Sequence, residues 1–314
     1  MTTPLEPLAT LVESFRRGDI DKPTYIRSMY DSHHAAFFDY ARFIGGTNVK
    51  RIEIEDGSVI MVSRDRGVRI QCAEGDFRIA PIESLNFSDY EKQDSDMMEQ
   101  LLDDGDTFFD IGANIGWYSL NFALSRRKSS IHAFEPLPKT FSQLRRNVEL
   151  NAVNNVEIHN FGFSDKAATL EFFYYPEGSG NASSRNLTGR TDVEKVECKV
   201  ITLDEHVAST GQTVDFIKCD VEGAELLVFK GGRATIEAHT PIIFSEILRK
   251  WSARFSYEPN EIFELLGTLG YESFTAEGRN LRRFTTMNDA TVETNFFFLH
   301  AQKHASRISR LLRT

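Results

Sequence analysis

Cysteine is scarce in this chain, with only Cys72, Cys198 and Cys219 among 314 residues. Three scattered thiols are too few for a disulfide framework or a zinc site. Basic charge is also in deficit. Lys and Arg number 36 against 46 Asp and Glu, for a net charge of -10. A broad electrostatic hold on nucleic acid is therefore disfavoured. No apolar run approaches the roughly 20 residues needed to span a bilayer. The opening Met1-Thr2-Thr3-Pro4-Leu5-Glu6 lacks the basic start and apolar core of a signal peptide. These absences lead to the expectation of a soluble, cytoplasmic protein, in which the sequons at Asn181 and Asn186 are chance matches. No internal repeat or low-complexity block is visible.

With 41% hydrophobic residues, the chain can bury the core of one full domain plus an extension. Leu5, Leu8, Leu11, Val12 and Phe15 recur at helical spacing up to Gly18. Asp21 and Pro23 open a second helix that carries Tyr25, Ile26, Met29, Phe37, Tyr40 and Phe43 and ends at Gly45-Gly46. His33, His34 and Asp39 within it suit a helix surface or metal ligands. Three short alternating runs follow, Val49 to Ile54, Ser58 to Val62 and Val68 to Cys72, separated by Asp56-Gly57 and Asp65-Arg66-Gly67. Turns of that chemistry between β-branched runs predict a hairpin meander. Residues 1–75 thus read as an appendage for substrate selection or dimerisation.

From residue 76 onward, strands and helices alternate, which predicts a mainly parallel sheet with helices on both faces. Expected core strands are Thr107 to Asp110, Ser130 to Phe134, Val156 to Asn160, Val214 to Cys219, Ile242 to Ser245, Tyr271 to Thr275 and Asn295 to Leu299. Thr169 to Tyr174 and Val196 to Ile201 predict an antiparallel insertion around a polar loop. The first core strand runs into Asp110-Ile-Gly112-Ala-Asn114-Ile-Gly116 and then a helical pattern from Trp117. A strand, a glycine-bracketed turn and a helix N-terminus form a nucleotide-type cofactor loop. Asn114 stands where a dinucleotide fingerprint requires its second glycine. The bulkier loop suits S-adenosyl-L-methionine (SAM) better than NAD.

Four of these strands finish on a carboxylate, Asp110, Glu135, Asp220 and Glu246. In open α/β sheets, ligands bind outside the carboxyl ends of the strands. One such acid is equally a helix cap, whereas four in one layer point to a site. Glu135 is placed to accept hydrogen bonds from ribose hydroxyls. Ser164-Asp165, after the third strand, addresses the adenine amino group or makes a turn.

Asp110-Ile-Gly-Ala-Asn-Ile-Gly116 with Trp117-Tyr-Ser-Leu120, Phe134-Glu-Pro136, Thr202-Leu-Asp-Glu205, Asp215-Phe-Ile-Lys-Cys-Asp-Val-Glu-Gly-Ala-Glu225, Pro241 to Ile247 and Asn295 to Leu299 occur in order. This series resembles the FkbM family of SAM-dependent methyltransferases, over about residues 85 to 300. The resemblance implies a class I methyltransferase (Rossmann-like) α/β fold, a seven-stranded sheet with its last strand antiparallel, here with the N-terminal helical and β-meander appendage. It also implies O-methylation, often of a sugar hydroxyl in a glycan, glycolipid or natural product. By resemblance, Asp110, Gly112, Asn114 and Gly116 carry the methionine end of SAM and Glu135 its ribose. Tyr90-Glu91, a looser match, would fold over the cofactor.

An alcohol acceptor must lose a proton, and a positioned base contributes typically about 10²–10⁴-fold. Asp220, Glu222 and Glu246 are the candidates, with Glu222 and Glu225 also suiting the positive end of the helix that begins near Gly223. A divalent metal between these carboxylates is conceivable but not favoured. His132 and His239 read as core or loop residues. Loop 174–190, with Arg185, and the segment Arg249 to Pro259, with Trp251, Phe255 and Tyr257, could receive the acceptor. Residues 303–314 alternate Lys303, Arg307, Arg310 and Arg313 with Ile308, Leu311 and Leu312. That pattern suits a peripheral membrane contact, a partner surface, a terminal helix or the join to a further domain. The sequence leaves three functions open: a methyltransferase acting on a sugar hydroxyl, one acting on a non-sugar small molecule, and a non-catalytic scaffold. An NAD oxidoreductase is disfavoured by Asn114 and by the lack of a catalytic Tyr-Lys pair.

Overall fold

The computed structural model describes residues 7–55, 57–175 and 182–313. Its centre is an eight-stranded sheet whose strands are β4 (Thr107–Ile111), β5 (Ser130–Phe134), β6 (Val156–His159), β10 (Phe216–Cys219), β11 (Ile242–Glu246), β12 (Tyr271–Glu277), β13 (Asn280–Phe284) and β14 (Asn295–His300). The order across the sheet is β13-β12-β14-β11-β10-β4-β5-β6. Strands β6, β5, β4, β10 and β11 run parallel, and β14 enters antiparallel between β11 and β12. This is the class I methyltransferase arrangement with one strand more than the expected seven. Strand β13 is the addition, a hairpin partner turned back on β12 through Gly278.

Alternation along the central strands sorts side chains between two cores. Phe108 and Phe216 fall on one face with Phe244 and Phe297, and Phe109, Ile217 and Ile243 on the other. Phe108 meets Phe216 at 5.4 Å between ring centroids, and Phe244 meets Phe297 at 4.9 Å. Truncating any one of these rings to alanine would cost about 3–5 kcal/mol. Within this apolar face, Asp110 and Lys218 are paired across β4 and β10, and both are buried.

The meander consists of β1 (Val49–Glu55), β2 (Ser58–Ser63) and β3 (Arg69–Cys72) in that order. It is not a separate body. Val68 and Ile70 belong to the main core. The backbone of β3 is held by the helix Pro138–Asn151, with Arg69 N donating to Asn151 Oδ1 at 2.8 Å and Gln71 N to Asn147 Oδ1 at 2.9 Å. The preceding helices, Leu8–Arg17 and Lys22–Phe43 (the latter interrupted by a π turn at Tyr30–His34), leave Ile26, Phe37, Phe38, Tyr40 and Phe43 exposed. His33 and His34 lie in that π turn. A third sheet, β7 (Gly162–Phe163), β9 (Glu194–Ile201) and β8 (Ala168–Tyr174), forms the insertion.

The basic tail forms a terminal helix docked on the domain. In its helix, Ala305–Leu311, Ile308 and Leu311 are buried in the main core. Arg307 donates to the Leu101 carbonyl at 2.7 Å and pairs with Asp103, while Arg313 pairs with Glu277. The apolar face is spent on the protein itself, and the basic face is partly neutralised. Among the described residues, no helix is long and apolar enough to cross a membrane.

Candidate active site

Strand order reverses between β4 and β10, and an open α/β sheet places its crevice at such a point. A cavity of about 570 Å³ lies there, within the ordinary range for small-molecule sites, about 300–1,000 Å³. Its wall includes Tyr90, Glu91, Gly112, Asn114, Glu135, Ser164, Asp220, Glu222 and Glu246. Three of the residues expected at the cofactor do not line it: Asp110, Gly116 and Asp165.

Asp110 lies beneath the loop. Its Oδ2 accepts from Ser119 N at 3.1 Å and Ser119 Oγ at 2.6 Å, which caps the helix Trp117–Ser125, and its Oδ1 is 3.5 Å from Lys218 Nζ. The acid is thus a cap and an ion-pair partner, and reaches the cavity only by shaping the loop above it. Gly116 lies at φ 92°, where an L side chain is strained, and a Cβ there would also stand 2.6 Å from Leu144 Cδ1. Gly112, at φ 78°, has the Asp220 carbonyl oxygen 1.9 Å from where a Cβ would stand. A close approach to strand β10's exit therefore demands glycine here. Asn114 sits at φ 49°, a left-handed conformation that Asn tolerates well. Asp165 is exposed, and the Ser164 hydroxyl lies 3.3 Å from its Oδ1.

Glu135 is buried at the end of β5. Leu137 N donates to its Oε1 at 3.0 Å and Asn114 N to its Oε2 at 3.1 Å. Burial pushes its pKa up to about 7, with those two amide bonds opposing the rise. Glu91, at φ 43° ahead of the helix Lys92–Leu101, accepts a hydrogen bond from the Tyr118 hydroxyl. Burial raises it also to about 7, against that bond. Tyr90 stands edge-on to Trp117 with ring centroids 6.1 Å apart.

Close to Tyr90 and Glu91, Asp220, Glu222 and Glu246 bring one carboxylate oxygen each within 4.8 Å of one another. Burial, followed by repulsion from Asp220, holds both glutamates well above the usual carboxylate range. Glu222 Oε2 is buried without a hydrogen-bond partner, and its backbone is left-handed at φ 53°. Such a trio can take up a proton or hold a hard, oxygen-preferring cation. Glu225 lies behind it: its Oε1 accepts from Val221 N at 3.1 Å and Gly223 N at 3.0 Å, and the Tyr257 hydroxyl lies 3.2 Å from its Oε2. Glu225 and Tyr257 therefore fix the Asp-Val-Glu-Gly turn and leave Glu222 and Asp220 facing the cavity.

Lys218 was given no role by the sequence reading. Its Nζ donates to the Gly112 carbonyl at 2.9 Å and lies 3.3 Å from Asp220 Oδ2 and 3.5 Å from Asp110 Oδ1. Burial alone would lower its pKa, but the surrounding carboxylates outweigh that and raise it. It is a permanent internal cation joining the two strands at the switch point. Its signal was a lysine at an inward position of the apolar run Phe216-Ile-Lys-Cys219. Of the suggested acceptor segments, Ala182, Ser184, Thr188, Lys250 and Trp251 line the cavity. Residues 176–181 fall outside the described structure, and Phe255 stacks under Arg185 at 5.8 Å.

The model of the Methyltransferase FkbM domain matches residues 110–273, more than half of the chain. The chain belongs to this family. A family relative, the 31-O-demethyl-FK506 methyltransferase FkbM of Streptomyces tacrolimicus, is 31% identical over 155 residues, covering 40% of this chain and 59% of the relative. The hexuronic acid methyltransferase AglP of Haloferax volcanii is 30% identical over 143 residues, covering 44% and 56%. The chain thus spans less than two thirds of either relative. The crystal structure of Methyltransferase FkbM from Methylobacillus flagellatus KT covers 63% of this chain and 45% of its own at 18% identity, with a TM-score of 0.40.

Proposed function

We propose that this protein is a SAM-dependent O-methyltransferase acting on a sugar hydroxyl of a glycan, glycolipid or natural product. One observation carries the reading: a ribose-type carboxylate, Glu135, and a carboxylate trio, Asp220, Glu222 and Glu246, face one cavity at the switch point. The cavity's size and the orphan oxygen of Glu222 fit a cationic donor beside a hydroxyl acceptor. SAM supplies a methyl group already activated on a sulfonium. Glu135 and the Gly112–Asn114 turn would hold its nucleoside part, and Tyr90 and Glu91 would close over it. The chain's remaining task is to align the acceptor oxygen, exclude water and remove the hydroxyl proton.

Glu222 is the proton acceptor in this reading, because the residue lines the cavity, its buried Oε2 has no hydrogen-bond partner, and burial favours its taking up a proton. Glu246 and Asp220 orient the hydroxyl, and Lys218 offsets part of their charge. Trp251 and the small polar residues Ser184 and Thr188 suit a sugar ring, and a hexuronic acid methyltransferase among the relatives favours that acceptor class. The exposed aromatic face of the N-terminal helices is the surface proposed for self-association, and a cytoplasmic location remains part of the reading. Labelled SAM and a panel of methyl-free glycans form the test. Glu222→Gln should lower turnover at saturating SAM by about 10²-fold or more, and Glu246→Gln by less. Full turnover in Glu222→Gln would remove it as the base, and methylation of no hydroxyl on the panel would defeat the sugar assignment.

A further inference from the structure

Away from the cavity, at the far edge of the sheet, β5 and β6 bring together His132, Glu157 and His159. His132 pairs in register with Glu157, and Phe134 with His159. His132 Nδ1 lies 3.4 Å from His159 Nε2 and 3.5 Å from Glu157 Oε2, and His159 Nε2 lies 3.7 Å from Glu157 Oε1. Zinc bonds of 2.0–2.2 Å to nitrogen and oxygen in tetrahedral geometry put neighbouring donor atoms about 3.3–3.6 Å apart. The two imidazole nitrogens are spaced as one edge of such a tetrahedron, each faces a different Glu157 oxygen, and one donor atom from each residue lies within 4.8 Å of the others, so a small turn of the exposed carboxylate closes the set. None of the three residues lines the cavity.

The surroundings of His132 suit one tautomer. His132 Nε2 lies 3.0 Å from Ser130 Oγ and 3.5 Å from the Gln212 amide nitrogen, while Gln212 Oε1 is buried without a partner. Turning that amide over, a choice left open by the near-identity of its oxygen and nitrogen, makes Oε1 an acceptor for a proton on Nε2. The Nδ1 lone pair then faces His159 and Glu157. Ligating histidines are oriented in this way, by a hydrogen bond from the other ring nitrogen. Burial keeps both imidazoles below their ordinary pKa, His159 at about 4, so they are neutral donors. His159 is also stacked on Phe134 at 4.6 Å, which limits its rotation. The Glu157 side chain is 62% exposed on the edge strand, which leaves a path for a cation and room for a water as fourth ligand.

We propose that His132, Glu157 and His159 form a site for one divalent cation of the zinc class, clamping edge strand β6 to β5. Scarcity of cysteine bears only on thiolate zinc sites, and this donor set is two imidazoles and a carboxylate. The His159 carbonyl accepts from Glu135 N at 3.0 Å, so the clamp is one backbone hydrogen bond from the cavity wall. The site does not depend on the proposed methyl acceptor.

The full chain, stripped with a chelator, is titrated with Zn²⁺ by calorimetry and with Co²⁺ by visible absorption. The expected result is one strong site with the intense absorption of four-coordinate Co²⁺, and a Tm raised by Zn²⁺. Glu157→Gln, an exposed change, should weaken affinity by roughly tenfold or more. His159→Phe, which keeps a ring on Phe134, should abolish the Co²⁺ band and the Zn²⁺ effect on Tm. Failure to bind, or a Co²⁺ band unchanged in Glu157→Gln, overturns the proposal. So does a site that survives His159→Phe, since the metal would then lie at other histidines such as His300 and His304. If His159→Phe does not fold, Glu157→Gln still decides.

Discussion

Replacing Lys218 with methionine keeps the length and apolar stem of the side chain and removes only its cation. Two carboxylates then lose their nearest positive charge, Asp110 at 3.5 Å and Asp220 at 3.3 Å, and the Gly112 carbonyl loses its donor. Each attraction at that range amounts to about 5 kcal/mol at an effective dielectric of 20. Burying the ammonium opposes them by several kcal/mol. What the variant exposes is an uncompensated buried charge, so the expected loss is about 3–5 kcal/mol. That loss is read by urea unfolding near neutral pH. Adding Asp110→Asn should recover about 0.5–3 kcal/mol as a non-additive term. A loss below about 1 kcal/mol, with no coupling to Asp110, would refute the account of Lys218 as the sheet's internal counter-ion.

Two further perturbations test the loop and the ribose end. Glu135→Gln should weaken SAM by roughly ten- to a hundredfold, the effect of losing a charged hydrogen-bond acceptor, as read by calorimetry. Because burial holds free Glu135 at about 7 and a bound cation favours the carboxylate, wild-type binding should release protons below that pH and weaken as pH falls. The variant should flatten this dependence, leaving the part due to Glu91, Glu222 and Glu246; an unchanged profile would remove Glu135 from the site. Gly112→Ala forces a Cβ to within 1.9 Å of the Asp220 carbonyl oxygen at φ 78°, and should cost at least about 2 kcal/mol. A wild-type Tm and SAM affinity would show that the crowding is relieved without consequence.

Much of the sheet was legible because its signal is local. Phe-rich runs that end on Asp110, Glu135, Asp220 and Glu246 mark both a strand and the edge where it stops, and turn chemistry at Gly57 and Gly67 marked the meander. Pairwise facts were not legible. Whether Gly116 yields to a ligand or to Leu144 depends on a helix some thirty residues away in sequence. Whether Asp110 faces a pocket or Lys218 depends on which face of β4 lines up with which face of β10. The same limit applied to the tail: its amphipathic pattern states that an apolar face must be covered, but not that Leu101 and Leu281 lie where it docks. Strand β13 escaped because Asn280-Leu-Arg-Arg-Phe284 has little β-branched character, and pairing with β12 supplies what propensity does not.

The balance of charge at the switch point ties these pieces together. Glu91, Glu135, Glu222 and Glu246 are all raised by burial and line one cavity, and Lys218, buried among them, is committed to Asp110, Asp220 and the loop backbone. Arg78 and Lys250 also line the wall, yet its carboxyls outnumber its cations and leave it short of positive charge. A cationic ligand would supply it, drawing these carboxyls toward their ionised forms as it binds. A neutral product left after methyl transfer would not, and the same carboxyls would then favour their protonated forms. The chain's acids are therefore arranged so that donor and product should be told apart by charge, with tighter binding of the cationic donor and that preference fading as pH falls below about 7. Equal affinity for the donor and its demethylated product across that pH range would mean that the cavity recognises only the nucleoside they share.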